Sequence, residues 1–439
     1  MDACTDKLKG KQNKEHNLMI LAIILCILVF VITLIRAIIT SISYDEAYTY
    51  LYISRRNLLD PSVLGSLYGG ANCIANNHWL NSFLIFLFDR VTGESYNEFI
   101  IRMPSIISFA IFLYLSCFGY KKKYYSFTTF VFLIGNYYLN EFYGLARGYG
   151  MANTCVFGMC LAYIAWRKTG YQKVRYLCVL MISAVLAGFS NTIILMLYPA
   201  IGCLCLYRII KEKQIKQVFV RSSFVIALFA LCTVIQLIYH LNISQSGKPL
   251  YTGDSGFFDS FIKGYVNMFA SDPTTTVLSI IMIVTSVGCL ALLRKKLFGL
   301  DFVMMLILFV ITNLLMQLVL QKGYATGRAL LPFYSFIVIA MSELLKAATS
   351  ELSGRLIIGK AVACICLCVS ICTVYITRVN IHYTTEWSSS YKYRDLELGR
   401  HMTGIDYYEG LAMPDQDFYE RKYSEVIDKY EKYIDRQQH

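Results

Sequence analysis

Leu18 to Ile39 is an apolar run of bilayer-crossing length, interrupted only by Thr33 and, near its end, by Arg36. A hydrocarbon core takes about 20 apolar residues per helical crossing. Inside it each segment has to satisfy its own backbone N–H and C=O groups, which leaves helices or closed barrels. Similar runs recur near residues 100–119, 126–143, 150–166, 176–191, 192–207, 219–241, 274–293, 300–320, 329–345 and 356–377. The repetition predicts an all-α polytopic membrane protein with about ten or eleven transmembrane helices. Charge is too scarce for an aqueous surface: 16% of the 439 residues, against about a quarter in a soluble domain. The first run is too long for a signal-peptide core and has no small-residue cleavage site, so it is expected to be retained.

The net charge of +12 is a topology signal rather than a nucleic-acid footprint, because the basic residues sit in short clusters between apolar runs. Lys7, Lys9, Lys11 and Lys14 precede the first run. Lys121 to Lys123 follow the second, and Arg167, Lys168, Lys173 and Arg175 follow the fourth. Arg208, Lys211, Lys213, Lys216 and Arg221 follow the sixth, Arg294 to Lys296 the eighth, and Lys346, Arg355 and Lys360 surround the tenth-to-eleventh connection. All of them share one side if the N-terminus is cytoplasmic. Trp79 to Phe88 is only about half a membrane long, and making it a span would invert that pattern. It is therefore expected to be a re-entrant or interfacial helix.

Residues 1–377 then form the membrane domain, and 378–439 a small extracytoplasmic tail, polar and Tyr-rich. Four other segments fall outside: a long first loop of about residues 41–98, the connection around 144–150, the loop 242–275 and the turn 321–328. Of the fifteen cysteines, Cys4 lies in the polar N-terminus and Cys73 alone in a loop; the rest lie in apolar runs, where Cys acts as a small hydrophobe. No CxxC pair occurs, so neither a zinc site nor a disulfide framework is indicated.

The groups able to do chemistry gather on this outer side. Asp45 and Glu46 follow the first run directly; such a pair can merely punctuate a membrane boundary, or supply a general base. Asn77 and His78 close the same loop. Arg102, Arg147 and Arg328 each stand at a helix end, where snorkelling to headgroups is the ordinary role. Yet charge bias predicts few arginines on this face, and ionisable groups at such depths commonly mark function. The guanidinium fork matches phosphate oxygens. A carboxylate pair, an imidazole and three guanidiniums on one side thus suggest a phosphate-leaving-group site with a base nearby. Gly148-Tyr149-Gly150 is not a nucleotide loop, since it lacks the strand and third glycine of that motif. Ser190-Asn191-Thr192, polar at an outer boundary, reads as a satisfied helix-turn group. Two carboxylates and one His offer the donor types for a divalent ion without its diagnostic spacing, so a metal stays open and no other cofactor is called for.

At these residues the chain resembles the GT-C membrane glycosyltransferases, in particular bacterial relatives of the protein O-mannosyltransferases and of the lipid A aminoarabinose transferases. The family's Asp-Glu pair is matched by Asp45 and Glu46, its His-Pro-Pro-like stretch by His78, and its Arg-Leu-Pro-Ser element by Arg102, Pro104 and Ser105. Ala146, Arg147 and Tyr149 match a Glu-Ala-Arg-x-Tyr element, and Arg328 to Pro332 resembles an Arg-Tyr-Leu-Leu-Pro element. Trp79 stands where proline, and Leu145 where glutamate, is usual. The order and spacing of the first four elements cover roughly residues 18–170; the remainder matches mainly in hydropathy.

The resemblance implies a GT-C-like bundle that moves a sugar, with inversion, from a polyprenyl-phosphate donor to an acceptor hydroxyl of an envelope glycan, lipid or protein. It casts Asp45 as the catalytic base with Glu46, puts His78 and Asn77 in the acceptor pocket, and sets Arg102, Arg147, Tyr149, Tyr324 and Arg328 around the donor phosphate. The expected location is a multi-pass position in a bacterial plasma membrane, among membrane lipids and with no nucleic-acid partner. Two other classes remain. A transporter or lipid flippase would carry internal repeats and midplane polar groups, and no repeat is found. A non-catalytic subunit of an envelope-polymer machine would dock through the 378–439 tail.

Overall fold

The computed structural model describes residues 2–39, 46, 49, 78–92, 98–245, 252–253, 257–267, 286–287, 290, 297–320, 324–325 and 327–351. Asp45, Asn77, the expected spans at 356–377 and over most of 274–293, and the 378–439 tail lie outside the described residues.

The described chain is predominantly helical. In order come α1 (Asp2–Ile39), α2 (Trp79–Val91), α3 (Glu98–Lys121), α4 (Phe127–Ile134), α5 (Tyr137–Tyr143), α6 (Gly148–Lys168) and α7 (Val174–Ser190). A 3-10 turn (Thr192–Met196) leads to α8 (Tyr198–Lys211) and α9 (Ile215–Gln245). A π turn (Phe257–Ile262) runs into α10 (Lys263–Asn267), then α11 (Asp301–Leu320), a 3-10 segment (Gly327–Phe333) and α12 (Tyr334–Glu351). Two dipeptide strands, β1 (Thr252–Gly253) and β2 (Tyr324–Ala325), pair antiparallel.

Four stretches among the described residues are long and apolar enough to cross a membrane: Asn13–Ile38, Phe99–Lys121, Ile215–Leu241 and Arg328–Ala348. Their surfaces suit lipid rather than water. Phe224 is 77% and Val220 73% exposed on α9, and α1 turns Ile24, Ile27 and Leu28 outward. Apolar patches of that extent are rare on soluble monomers. By contrast α6 is buried along almost its whole length, from Gly148 to Trp166. It forms the axis of the core and packs most extensively on α7, with α3 and the 3-10 segment also against it. A helix apolar on every side belongs inside a bundle.

The expected continuous span at 126–143 is broken. Asn136 caps α5, its Oδ1 accepting from the Leu139 N–H at 2.7 Å, and Asn140 Nδ2 donates to the Ile134 carbonyl at 2.8 Å. Side-chain amides thus satisfy backbone groups that a straight helix would have paired. The apolar run 192–207 also divides, into a 3-10 turn and α8, with Asn191 capping the turn through the Ile193 N–H. Helix α2 has 13 residues, about 20 Å at 1.5 Å per residue, which is short of a ~30 Å hydrocarbon core.

The helices are fastened at both ends by polar knots. At the end rich in lysine and arginine, Asp301 is fully buried at the start of α11. It accepts from Tyr171 Oη at 2.6 Å and from Arg208 Nε at 3.0 Å, with Arg208 Nη2 against the same oxygen. Arg167 bonds Glu343 at 2.5 Å, and the other oxygen of Glu343 accepts the Phe302 N–H at 2.8 Å. A carboxylate at a helix N-terminus and guanidiniums at the ends of α6 and α8 complement the helix dipoles. Arg167 and Arg208, expected only as topological charges, are ion-paired. Within the bundle, the missing side chain at Gly188 admits the Tyr198 hydroxyl and the Gln236 amide. There Tyr198 donates to the Ala184 carbonyl at 2.6 Å, and Gln236 Nε2 to that of Val185 at 2.9 Å. Cys26, Cys117, Cys155, Cys160, Cys178, Cys203, Cys205 and Cys232 are free thiols.

Candidate functional site

The opposite end of the bundle gathers what the sequence spreads over four segments. Glu46, from the first loop, meets the start of α3 and the turn before α6. β1, from the loop after α9, pairs with β2 in the turn before the 3-10 segment.

Glu46 and Arg102 form a bidentate ion pair with no exposure of either side chain: Arg102 Nε to Glu46 Oε1 is 2.9 Å, and Nη2 to Oε2 is 2.8 Å. Arg102 Nη1 donates to the Ala37 carbonyl at the end of α1, at 2.8 Å, and Glu46 Oε1 also accepts the Ala146 N–H at 2.6 Å. This one knot therefore fixes α1, α3, the first loop and the α5–α6 turn. Both Glu46 oxygens face the Arg102 fork, and that fork is turned on Glu46. Through the Ala146 N–H the pair also holds the turn carrying Arg147.

Arg147 is the N-cap of α6, fully buried, with its carbonyl accepting from Ser105 Oγ at 3.4 Å. Its guanidinium lies 5.6 Å from the ring centroid of Tyr149, a cation–π distance. Asn81 Nδ2 reaches from α2 to the Ala146 carbonyl at 3.0 Å. His78 is the N-cap of α2, buried, and edge-on to Tyr149 at 4.6 Å. Trp79, where the family resemblance leads one to look for proline, stacks on Phe83 at 5.8 Å and packs on Phe189 at 5.4 Å. Arg328 stands at the start of the 3-10 segment, partly exposed. It is held there because Asn153 of α6 accepts the Ser335 N–H at 3.0 Å and the Tyr334 hydroxyl donates to the Phe132 carbonyl.

His78, Arg147 and Arg328 thus share one electrostatic environment. Burial first, then the positive charges of Arg147 and Arg328, hold the His78 imidazole well below its usual range, with a bond to the Ser190 carbonyl opposing the shift. At neutral pH the ring is uncharged. Two helix N-termini, those of α2 and α6, converge here, and neither N-cap side chain bonds back to its own helix. Such ends favour anions. The contact depends on Gly148: a Cβ there would lie 2.5 Å from His78 Cβ and 2.7 Å from His78 Cγ. Gly148→Ala is expected to cost about 1–3 kcal/mol by overpacking, measured as a lower unfolding midpoint in detergent; an unchanged midpoint would mean that α2 stands off α6.

Of the other expected residues, Tyr324 lies in β2, paired with Gly253, and Asp45 and Asn77 lie outside the described residues. Among the described residues no three His, Cys, Asp or Glu side chains come together. Among the described residues Glu46 is committed to Arg102, and His78 sits beside arginines. The Ser190 carbonyl is a site group that the sequence does not single out; its one signal is the polar Ser190-Asn191-Thr192 stretch, which has the look of an ordinary helix turn. Comparison of the chain with protein-family models, with curated proteins and with solved structures finds no match.

Proposed function

We propose that this chain is a membrane glycosyltransferase that moves a sugar from a polyprenyl-phosphate donor to an acceptor hydroxyl on the extracytoplasmic face of a bacterial plasma membrane. The observation that carries the reading is the convergence of Arg147, Arg328, uncharged His78 and two helix N-termini at one end of an apolar bundle. That is chemistry for an anion, and a lipid-borne phosphate reaches such a place from the bilayer itself. The order of the Asp-Glu, His, Arg-x-Pro-Ser and Ala-Arg-x-Tyr elements supports the same reading.

In the proposed reaction the acceptor oxygen attacks the anomeric carbon as the bond from that carbon to the phosphate oxygen breaks, inverting the centre. Asp45 takes the hydroxyl proton, and the electron pair leaves with the polyprenyl phosphate. Arg147 and Arg328 stabilise the charge that grows on that phosphate. The Glu46–Arg102 pair keeps the α5–α6 turn in place and so spares Arg147 any reorganisation.

Asp45→Asn is expected to lower transfer at least ~10²-fold, in the range of a lost general base, with membrane insertion unaltered. Mass spectrometry of envelope glycans and lipids from cells bearing either form reads this out. Undiminished product in the variant would remove Asp45 from the chemistry. The break between α4 and α5 is a feature that a transporter would share. That reading predicts substrate flux with no covalent product.

A further inference from the structure

Helices α1 and α3 run antiparallel along one seam. At the site end the Ala37 carbonyl, in the last turn of α1, accepts from Arg102. At the basic end Glu15 pairs with Lys123, just beyond α3, at 2.8 Å. Between these two ties, Cys26 of α1 and Cys117 of α3 bring their sulfurs to 3.5 Å. The Cys26 thiol also reaches the Leu113 carbonyl at 3.9 Å. Both cysteines are free thiols, Cys26 buried and Cys117 half-buried. The seam needs more than its two ends supply. Only 17% of the spanning stretch of α1 is buried, against 56% for α3, and an exposed pair such as Glu15–Lys123 holds little.

Cysteine in an apolar helix ordinarily serves as a small hydrophobe. A contact between two thiols on different helices, 91 residues apart in sequence, offers chemistry that packing alone does not require. The sulfurs have to close by only about 1.5 Å to bond. We propose that Cys26 and Cys117 are an oxidative modification site, at which hydrogen peroxide couples them into a disulfide that staples α1 onto α3. The half-buried Cys117 meets the peroxide first. Its sulfur attacks one peroxide oxygen, the O–O bond breaks, and water leaves with the thiol proton, giving a sulfenic acid. The Cys26 sulfur then attacks the Cys117 sulfur, the S–O bond breaks, and a second water carries off the Cys26 proton. The two thiols lose two electrons and the peroxide gains them. The product closes a long loop, the case in which a cross-link restricts the unfolded chain most. It also secures the helix that holds Arg102 through Ala37. This device goes beyond the transfer reaction and does not depend on it.

The test treats the full chain in detergent with hydrogen peroxide, denatures it in N-ethylmaleimide and digests it without reductant. Mass spectrometry is expected to find a linked Cys26–Cys117 peptide that dithiothreitol abolishes. The unfolding midpoint of the linked form should rise, and fall back on reduction. Cys26→Ser should stop at the Cys117 sulfenic acid, which dimedone traps, and Cys117→Ser should leave Cys26 a thiol. Cys203 on α8, which is exposed, gauges the supply of oxidant. If Cys26 and Cys117 both still take N-ethylmaleimide once Cys203 is oxidised, the proposal is overturned. The same holds if either sulfur links to another cysteine, if Cys117 passes to a sulfinic acid with Cys26 unchanged, or if the link leaves the midpoint where it was. Should neither variant fold, the linked peptide and the midpoint of the native chain decide the matter.

Discussion

Arg102→Met should destabilise the protein by about 3–5 kcal/mol, the scale for removing one partner of a buried ion pair. The magnitude follows from geometry. Glu46 is fully enclosed, and among the described residues its carboxylate accepts two hydrogen bonds from Arg102 and one from the Ala146 N–H. Taking away the guanidinium leaves a desolvated negative charge without its buried cation, and also removes the donor to the Ala37 carbonyl. Arg102→Lys should recover little, because an ammonium cannot match two carboxylate oxygens and a carbonyl at once. Glu46→Gln combined with Arg102→Met should be milder than Arg102→Met alone, since no buried charge is then stranded. Unfolding midpoints in detergent for the single and double variants test this. Additive single losses would show that the two side chains do not depend on each other.

The second large effect falls on turnover. Arg147→Ala should reduce sugar transfer about 10²–10³-fold, the range for deleting one preorganised donor to a developing anion. The loss should appear in kcat at saturating donor. Arg147→Lys should fall between, keeping the charge but not the fork. Fluorescence-detected size exclusion separates this from misfolding, since Arg147 is also packed against Tyr149. A variant that folds and turns over normally would take Arg147 out of the site.

How much of this was legible in the sequence depends on the range of the interaction. The apolar runs announced the helices, because hydropathy over about 20 residues is a local property. The arginines at helix ends were legible for a related reason: charge on the face that charge bias leaves poor is conspicuous in one dimension. The segments carrying Glu46, His78, Arg147 and Arg328 do meet at one end of the bundle. Their division of labour was hidden. Glu46 and Arg102 look like two site groups, and only the fold, which brings together residues 56 apart in sequence, turns them into one strut. Asp301, Glu343, Tyr171 and Arg208 were invisible as a knot for the same reason. The break at Gly135-Asn136 was missed because a short apolar run hides a cap that a single asparagine can make.

The central claim is that the end of the bundle holding His78, Arg147 and Arg328 transfers a sugar from a lipid phosphate. The most direct measurement reconstitutes the full chain in proteoliposomes with a radiolabelled polyprenyl-phosphate sugar and an envelope extract as acceptor. The account predicts label covalently joined to an acceptor, with release of polyprenyl phosphate, and loss of both in Arg147→Ala. Label that crosses the bilayer while every molecule of donor stays intact would contradict it.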